Sequence, residues 1–383
     1  MVRDNLGDNR STYPATLYSV AGTQAAQGHE KENELSVFKL SSLSRIQKDD
    51  EGSESEDEDS DEEDSEPILE SKSIPLTSCT NRIRTFQRPR QGGGTGFGPT
   101  FTASMMESGQ VLIHDITPHL NSFDNPGTTI TPQQNQASIL TAHRSTEGYA
   151  VDWSPLSQEG KLLTGDIKGR IFSTTAKQGG GWETERKDAF TGHNGSVEEI
   201  QWSPSEASVF ASASSDGTVK IWDTRSKSRK SKVSVKVSDH DVNVLSWSHQ
   251  TSHLLASGHD DGSFAVWDLR QWRPSVNGAS TKPTPVADFH FNKEQITSLE
   301  WHPTDDSILM ACAGDSTITL WDLAVELDDE ESKETGGVKE YPPQLLFVHW
   351  QDGVKEGHWH PQIPGAIVST GQAGFDVFKT ISV

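Results

Sequence analysis

Short apolar runs alternate with turn-forming residues along most of this chain. Runs such as VNVLSW and FAVW are rich in β-branched and aromatic residues, and SSDG, HDDG and GDS between such runs favour tight turns. In five aligned segments a first tryptophan lies 19 or 20 residues before a second aromatic residue: Trp153 and Phe172, Trp202 and Trp222, Trp247 and Trp267, Trp301 and Trp321, and Trp359 and Phe378. This spacing predicts three short strands in each unit.

Two weaker units precede these five. Residues 102–115 match the end of a unit, and residues 15–41 supply two further strands. A small sheet cannot bury both of its faces alone, so the units must pack radially into a closed ring. We therefore predict an all-β, seven-bladed propeller.

The negative charge of the chain is concentrated in two segments. The net charge is −23, and residues 49–66 contain 13 acidic residues and no basic one. Because such a run repels itself and has nothing apolar to bury, we interpret 49–66 as a disordered insertion between a partial first blade, 1–48, and the remaining propeller, 67–383. It is either a solvating tail or a tethered counter-charge for a basic partner, and the acidic loop at 326–340 favours the second interpretation.

Three serines in the acidic insertion fit the pattern of an acid-directed kinase. Ser53, Ser55 and Ser60 each have an acidic residue three positions later. Phosphorylation there would add further negative charge.

The composition excludes several classes of protein. No apolar run is long enough to span a membrane, and the first ten residues lack the apolar core of a secretory signal. Cys79 and Cys312 cannot build a disulfide framework, so we expect a soluble chain in a reducing, intracellular compartment.

Motifs for catalysis and cofactor binding are also absent. The sequence has no phosphate-binding loop, no G-x-G-x-x-G and no G-x-S-x-G. The motif HWHP at 358–361 surrounds Trp359, the first tryptophan of its unit, and we do not interpret it as a metal site. We expect no enzymatic activity, no cofactor and no metal.

The overall charge argues against direct binding to nucleic acid, because the phosphate backbone attracts cations. Two basic runs, 81–90 and 225–232, are interpreted as ordinary exposed loops.

The units carry the marks of a known repeat. A Gly-His pair at 192–193 and the Trp-Asp pairs that end three units resemble the WD-repeat family, and a histidine precedes each of the five units: His143, His193, His240, His290 and His349. The resemblance implies that a histidine, a serine or threonine, an aspartate and the tryptophan are linked by hydrogen bonds within a blade. The residues that match these roles are His193, Ser212, Asp216 and Trp222.

A closer resemblance extends over essentially the whole chain. The motifs RDNLGDNR, AGTQ, VDWSP, KLLTGD, DVNVLSWS, WDLAVE, PPQLLFVH and FKTISV, together with the acidic run, resemble the glutamate-rich, ribosome-biogenesis branch of the retinoblastoma-associated, histone-binding WD-repeat family. This implies a seven-bladed WD-repeat β-propeller. In that family a helix and a strand come before the position where this sequence begins, so we expect one incomplete blade and a lower stability than that of a longer relative.

The stretch YPPQLLFVHW at 341–350 predicts one wall of a partner groove. Two prolines stiffen the turn that follows the acidic loop, and an apolar strand comes next. An acidic border beside apolar contacts suits a basic amphipathic helix. The predicted contacts are Glu326, Asp328, Asp329, Glu330, Glu331, Pro342, Pro343, Leu346 and Phe347. The last two fit a packing role inside the blade equally well.

A closed ring of blades has a central channel, and the mouth of this channel is a further candidate surface for partner binding. Counting four residues back from the first tryptophan of four units gives Tyr149, Glu198, Asn243 and Thr297.

Two functions remain open. The first is a monomeric, non-enzymatic scaffold or chaperone for a basic client in the nucleus and nucleolus, by resemblance a large-subunit ribosomal protein or a histone. The second is a substrate receptor of a cullin-type ubiquitin ligase, because WDTR and WDLR match the WDxR pattern through which some WD proteins dock on a ligase adaptor. Arg225 and Arg270 would make that contact, although an arginine after Trp-Asp often pairs only with carboxylates.

Overall fold

Seven β-sheets surround a central channel in the computed structural model of the chain. The structure describes residues 1–44, 66–89, 96–185, 189–272, 283–325 and 341–380. The innermost strands of neighbouring sheets contact one another in ring order. The prediction of an all-β, seven-bladed propeller is confirmed.

The strands follow one another through the blades in chain order. The first three blades contain β1 (Ala15–Gly22), β2 (Glu34–Leu43) and β3 (Ile68–Pro75); β4 (Thr80–Gln87), β5 (Thr100–Met106), β6 (Val111–Asp115) and β7 (Ser138–Leu140); and β8 (Val151–Trp153), β9 (Lys161–Gly165), β10 (Arg170–Ala176), β11 (Trp182–Thr184) and β12 (Phe190–Thr191).

The remaining four blades continue the pattern. They contain β13 (Val197–Trp202), β14 (Val209–Ser214), β15 (Thr218–Asp223) and β16 (Val233–Lys236); β17 (Val242–Trp247), β18 (Leu254–His259), β19 (Phe264–Asp268) and β20 (Ala287–Phe289); β21 (Ile296–Trp301), β22 (Ile308–Ala313), β23 (Thr317–Asp322) and β24 (Leu345–Trp350); and β25 (Glu356–Trp359), β26 (Ala366–Gly371) and β27 (Gly374–Lys379).

Helical structure is sparse in the described ranges. The helix α1 (Thr117–Phe123) starts with a proline in its first turn and packs Leu120 and Phe123 against the first blade. Two short 3₁₀ turns lie at Glu30–Glu32 and Leu269–Gln271. Among the described residues, no helix has the length and apolar character needed to cross a membrane.

Each blade buries both of its faces against the neighbouring blades. Leu245 and Trp247 of the fifth blade, for example, pack with Ala211 and Val219 of the fourth. Fully burying a side chain of this kind contributes roughly 1.5–3 kcal/mol. Because side chains alternate between the two faces of a strand, both sets must be apolar, and this explains the near-continuous apolar runs.

The first and seventh blades meet through packing and a few hydrogen bonds. Leu17 of β1 lies in one apolar cluster with Ile363 and Val368 of the seventh blade. The backbone N–H of Arg10 donates to the carbonyl of Gln362 at 2.9 Å. The seventh sheet has three strands in the described part of the chain, while the second to sixth sheets each have four or more.

The innermost position of the first blade is occupied by the start of the chain. Val2 forms a single antiparallel bridge with Tyr18 of β1 and is fully buried. The hydroxyl of Thr85, on β4 of the second blade, donates to the carbonyl of Met1 at 2.9 Å. This short segment therefore joins the first blade to the second.

The hydrogen-bonded set predicted for the fourth blade is present. Nε2 of His193 lies 2.7 Å from Oγ of Ser212, and Nδ1 lies 3.1 Å from Asp216. The indole N–H of Trp222 donates to the same Ser212 oxygen at 2.8 Å. His143 makes an equivalent pair of contacts in the third blade, and both imidazoles are buried, which supports a structural role.

The fifth and sixth blades depart from this arrangement, so the preceding histidine does not fill the same role in every unit. In the fifth blade the imidazole beside Ser257 belongs to His259, at 2.9 Å, and His240 remains 58% exposed. In the sixth blade the buried Asn292 donates to Thr317 at 3.0 Å, and His290 is exposed. His259 and Asn292 therefore supply the hydrogen bonds that the preceding histidine supplies in the fourth blade.

Candidate functional site

The four residues selected by counting back from a tryptophan lie at one mouth of the channel. Glu198, Asn243 and Thr297 each lie at a β-bulge near the start of β13, β17 and β21. A bulge places one unpaired residue in the strand and turns its side chain out of the ladder. Tyr149 lies just before β8, in the third blade. Their role in partner binding stays a prediction.

Some of these side chains connect neighbouring blades. The amide of Asn243 donates to the carbonyl of Ile296 in the next blade at 3.5 Å, and to Asp260 of its own blade at 3.4 Å. The hydroxyl of Thr297 donates to the carbonyl of Val354 at 3.5 Å. These two polar side chains therefore link the fifth, sixth and seventh blades at the mouth.

Carboxylates cluster at this mouth, and we call Glu147, Glu198, Asp241 and Asp260 the acidic rim. Burial raises the pKa of Glu198 and Asp241 adds to the increase, while a hydrogen bond with Ser196 and the charge of Arg82 partly oppose it. Burial and Asp260 likewise raise the pKa of Asp241. The hydroxyl of Tyr149 donates to Glu147 at 3.2 Å, and burial raises the pKa of that phenol. Carboxylates that raise one another's pKa create a negative potential that a cation would relieve.

Inside the channel, a network of charged side chains connects blades that are not neighbours. Arg82 and Arg84 project from β4 of the second blade. Arg82 is bonded to Glu199 of the fourth blade, and Nη1 of Arg84 lies 3.3 Å from both carboxylate oxygens of Glu356 in the seventh. Residues 81–87 were expected to form part of an exposed loop, and this interpretation is wrong, because they form most of the innermost strand β4.

Charge is stabilised inside this network. Burial opposes the charge on Arg84, but Glu356 and Glu199 outweigh it and raise the pKa of the guanidinium. In the same way, Arg84 overcomes the effect of burial and holds the pKa of Glu356 well below its usual range. Burial raises the pKa of the nearby Asp152 to about 7, although this carboxylate accepts the backbone N–H of Trp202 at 2.7 Å.

The HWHP motif contributes to the channel wall. Nδ1 of His358 lies 2.6 Å from Glu300, and Nε2 lies 3.2 Å from Glu356. Burial disfavours the imidazolium, but Glu300 and then Glu356 raise the pKa of His358 above its ordinary value. His360 instead accepts the backbone N–H groups of Gln362 and Ile363, and burial lowers its pKa to about 3. Within the described ranges, no group of His, Cys, Asp and Glu has the arrangement of a metal site.

A signal for this network exists in the sequence. Asp152, Glu300 and His358 lie one position before the first tryptophan of their units, and Glu199 and Glu356 lie three positions before it. Positions separated by two residues point to the same face of a strand. Charged residues at these places indicate a polar channel wall, and none of these five residues is among the predicted site residues.

The predicted groove wall is described in part. The turn at 342–343 precedes β24, with the N–H of Leu345 donating to the carbonyl of Pro342 at 3.0 Å. Leu346 and Phe347 are half-buried against the core shared by the sixth and seventh blades, and the Phe347 ring lies 6.2 Å from Phe378. This supports a packing role for both.

Several predicted residues cannot be placed in this geometry. The following lie outside the described residues: Glu326, Asp328, Asp329, Glu330, Glu331, Ser53, Ser55 and Ser60.

Two arginines have matching positions on the fourth and fifth blades. Arg225 and Arg270 each form a two-pronged contact with the aspartate of their own Trp-Asp pair, with shortest distances of 2.8 and 2.7 Å. Their side chains remain 71% and 67% exposed. The aspartates fix the guanidinium planes at the surface.

Seven radial sheets, a histidine–serine–aspartate–tryptophan set and the recurring Trp-Asp strand ends define a WD-repeat β-propeller. A family model described as nucleolar protein 10-like, N-terminal domain, a β-propeller, matches residues 157–328. A chain in the crystal structure of the mitotic checkpoint complex shares the fold, with a TM-score of 0.52 and 18% identity over 74% of this chain and 71% of that one.

Three relatives match nearly the whole chain. Ribosome assembly protein rrb1 of Schizosaccharomyces pombe is 46% identical over 100% of this chain and 77% of its own length. Glutamate-rich WD repeat-containing protein 1 of Dictyostelium discoideum is 40% identical over 99% and 76%. Protein HEAT STRESS TOLERANT DWD 1 of Arabidopsis thaliana is 37% identical over 99% and 83%. The chain belongs to this glutamate-rich WD-repeat family.

Proposed function

We propose that this protein is a non-enzymatic scaffold of ribosome assembly that binds a basic client protein in the nucleus and nucleolus. A relative that matches all of this chain is named as a ribosome assembly protein. The observation that carries the client proposal is the acidic rim at the mouth of the channel. A large-subunit ribosomal protein is the client that fits best, and a histone offers the same chemistry.

The electrostatics of the acidic rim favour a cationic guest. Glu198 and Asp241 each have a raised pKa because burial and neighbouring carboxylates make their charges costly. A lysine or arginine placed among them lowers that cost, and the gain appears as binding free energy. The amide of Asn243 and the hydroxyl of Thr297 add hydrogen-bonding groups at the same surface.

The acidic segment at 49–66 supports the same proposal from the sequence. Its 13 acidic residues would attract a basic client over a distance of roughly one Debye length, about 10 Å at 0.1 M salt. Such attraction raises the association rate and is screened by salt. Deletion of the segment should therefore slow association at low salt more than at high salt.

Affinity purification tests the client proposal. Tagged chain should recover basic ribosomal proteins or histones at low salt and less of them at high salt. The double variant Glu198→Gln with Asp241→Asn should lose most of that recovery. The control Glu159→Gln with Glu206→Gln removes the same charge at exposed sites in the turns that follow β8 and β13, at the opposite ends of the inner strands. Equal recovery by both double variants would refute a role for the rim, and recovery of no basic protein would refute the proposed function.

A second candidate function is that of a ligase substrate receptor. It is favoured by the matched, exposed geometry of Arg225 and Arg270, each fixed by an adjacent aspartate. The double change of these arginines to alanine should abolish recovery of an adaptor and a cullin while leaving basic clients bound. Recovery of no ligase subunit by the unaltered chain would reject this candidate.

A further inference from the structure

The fifth blade contains a cleft that is open to solvent. It has a volume of about 200 Å³, with Ala265, Trp267 and Pro285 among the apolar residues that line it and Asp261 and Asp288 among the acidic ones. His240 and His290, the exposed histidines that precede the fifth and sixth units, also line the cleft.

The cleft reflects the altered hydrogen bonding of this blade. In the fourth blade, His193 comes from the preceding loop and is buried beside Ser212. In the fifth blade, His259 supplies the imidazole from β18 itself, so His240 stays at the surface, 3.8 Å from Asp261.

Comparison with the fourth blade shows which side chain is missing. Lys220 of β15 pairs with Ser234 of β16, and its ammonium group donates to the Ser234 hydroxyl. In the fifth blade the same ladder positions are Ala265 of β19 and Asp288 of β20. The buried lysine is thus replaced by a small residue, and the serine that accepts from it is replaced by a carboxylate.

Asp288 has no lysine opposite it on β19, because that position is Ala265. Nε2 of His290 lies 3.3 Å from Asp288, and Lys236 lies 3.0 Å from Asp239 at the edge of the cleft. Asp261 accepts the hydroxyl and N–H of Ser263, and these hydrogen bonds lower its pKa against the effect of burial. Asp261 therefore remains ionised at neutral pH, and the cleft presents carboxylates above an apolar floor.

We propose that this cleft binds the side chain of a lysine from the basic client, in the place that Lys220 occupies in the fourth blade. The methylene groups of the lysine would lie against Ala265 and Trp267, and its ammonium group would reach Asp288 and Asp261. Lysine commonly buries its stem on apolar surface while its charged end meets polar groups. This inference rests on the proposed function and assigns one contact of the client to the fifth blade.

The variant Ala265→Lys tests the cleft, because it supplies from the chain itself the lysine that the fourth blade already has. We expect a folded protein with an unchanged or higher melting temperature. Its dissociation constant for a labelled oligolysine peptide, measured by fluorescence anisotropy at about 0.15 M salt, should rise about fivefold. The control Ala207→Lys adds the same charge at an exposed turn of the fourth blade and should change the constant less than twofold, by about 0.4 kcal/mol or less.

Cross-linking gives an independent measurement that does not depend on that variant folding. A carbodiimide condenses an amine with a carboxylate to form an amide, and the carbodiimide itself takes up the water that this condensation releases. With oligolysine and the unaltered chain, mass spectrometry should locate an amide at Asp288 or Asp261, and Asp288→Asn should remove the Asp288 product. Equal affinities of Ala265→Lys and Ala207→Lys, or no cross-link in the cleft, would overturn the inference alone. Failure of the unaltered chain to bind oligolysine would overturn the proposed function as well.

Discussion

Arg84 of the second blade contacts Glu356 of the seventh blade, with 3.3 Å between Nη1 and each carboxylate oxygen. The first blade lies between these two in the ring, and its innermost position is held by a single bridge at Val2. The ion pair therefore links the two blades that flank the first blade. This contact, the apolar cluster around Leu17 and Ile363 and the hydrogen bond from Arg10 to Gln362 all join this part of the ring.

Removing Glu356 should destabilise the propeller. Glu356→Gln leaves Arg84 poorly paired in a site where burial makes its charge costly. We expect the free energy of unfolding to fall by roughly 2 kcal/mol, as measured by denaturant titration. The control Glu70→Gln removes an exposed carboxylate 3.9 Å from Lys39, which keeps its closer partner Asp124, and should cost about 0.5 kcal/mol or less. Similar losses for both variants would show that the channel pair has no special role.

The contribution of His358 to the free energy of unfolding should fall as the pH rises. Glu300 and Glu356 raise the pKa of His358 above 6.5, so the folded state binds the proton more tightly than the unfolded state. The resulting stability is complete below about pH 6.5 and is lost as the pH rises through the folded pKa. The difference in unfolding free energy between the unaltered chain and His358→Gln should be largest near pH 6 and smaller at pH 8. A difference that grows with pH would contradict this assignment.

The two histidines of the fifth blade should respond differently to truncation. His259→Ala removes a buried imidazole that contacts Ser257 and Ser263, and should lower the free energy of unfolding by about 2 kcal/mol. His240→Ala changes an exposed side chain and should cost about 0.5 kcal/mol or less. Thermal or chemical unfolding of both variants checks the order. A larger loss for His240→Ala would show that the preceding histidine supports the blade after all.

The apolar strand β24 allows a matched test of packing. Phe347→Ala removes a ring from the core between the sixth and seventh blades and should cost about 2 kcal/mol, less than a fully buried phenylalanine because the side chain is half-buried. Trp350 on the same strand is 70% exposed, so Trp350→Ala should change stability by only about 0.5 kcal/mol. Phe347→Ala that melts like the unaltered chain would indicate a surface role for Phe347.

Several features followed directly from the residue pattern. The tryptophan spacing located the units. The resemblance to WD repeats, carried by the Gly-His and Trp-Asp pairs, assigned the set of His193, Ser212, Asp216 and Trp222 correctly. His240 does not fill the role that His193 fills in the fourth blade, because His259 of the fifth blade occupies that site instead. Local sequence shows that a position needs an imidazole or its equivalent, but several nearby side chains can provide it.

The sequence by itself determined the seven strand-rich units, the uneven negative charge and the positions at the channel mouth, because strand periodicity and turn chemistry act over a few residues. Only the tertiary structure decided that Arg82 and Arg84 face the channel, since alternation does not tell which face of a strand points inward. It also decided the pairing of Arg82 with Glu199, residues 117 positions apart in the chain. Such contacts exist only after the ring has closed and brought distant blades to one axis.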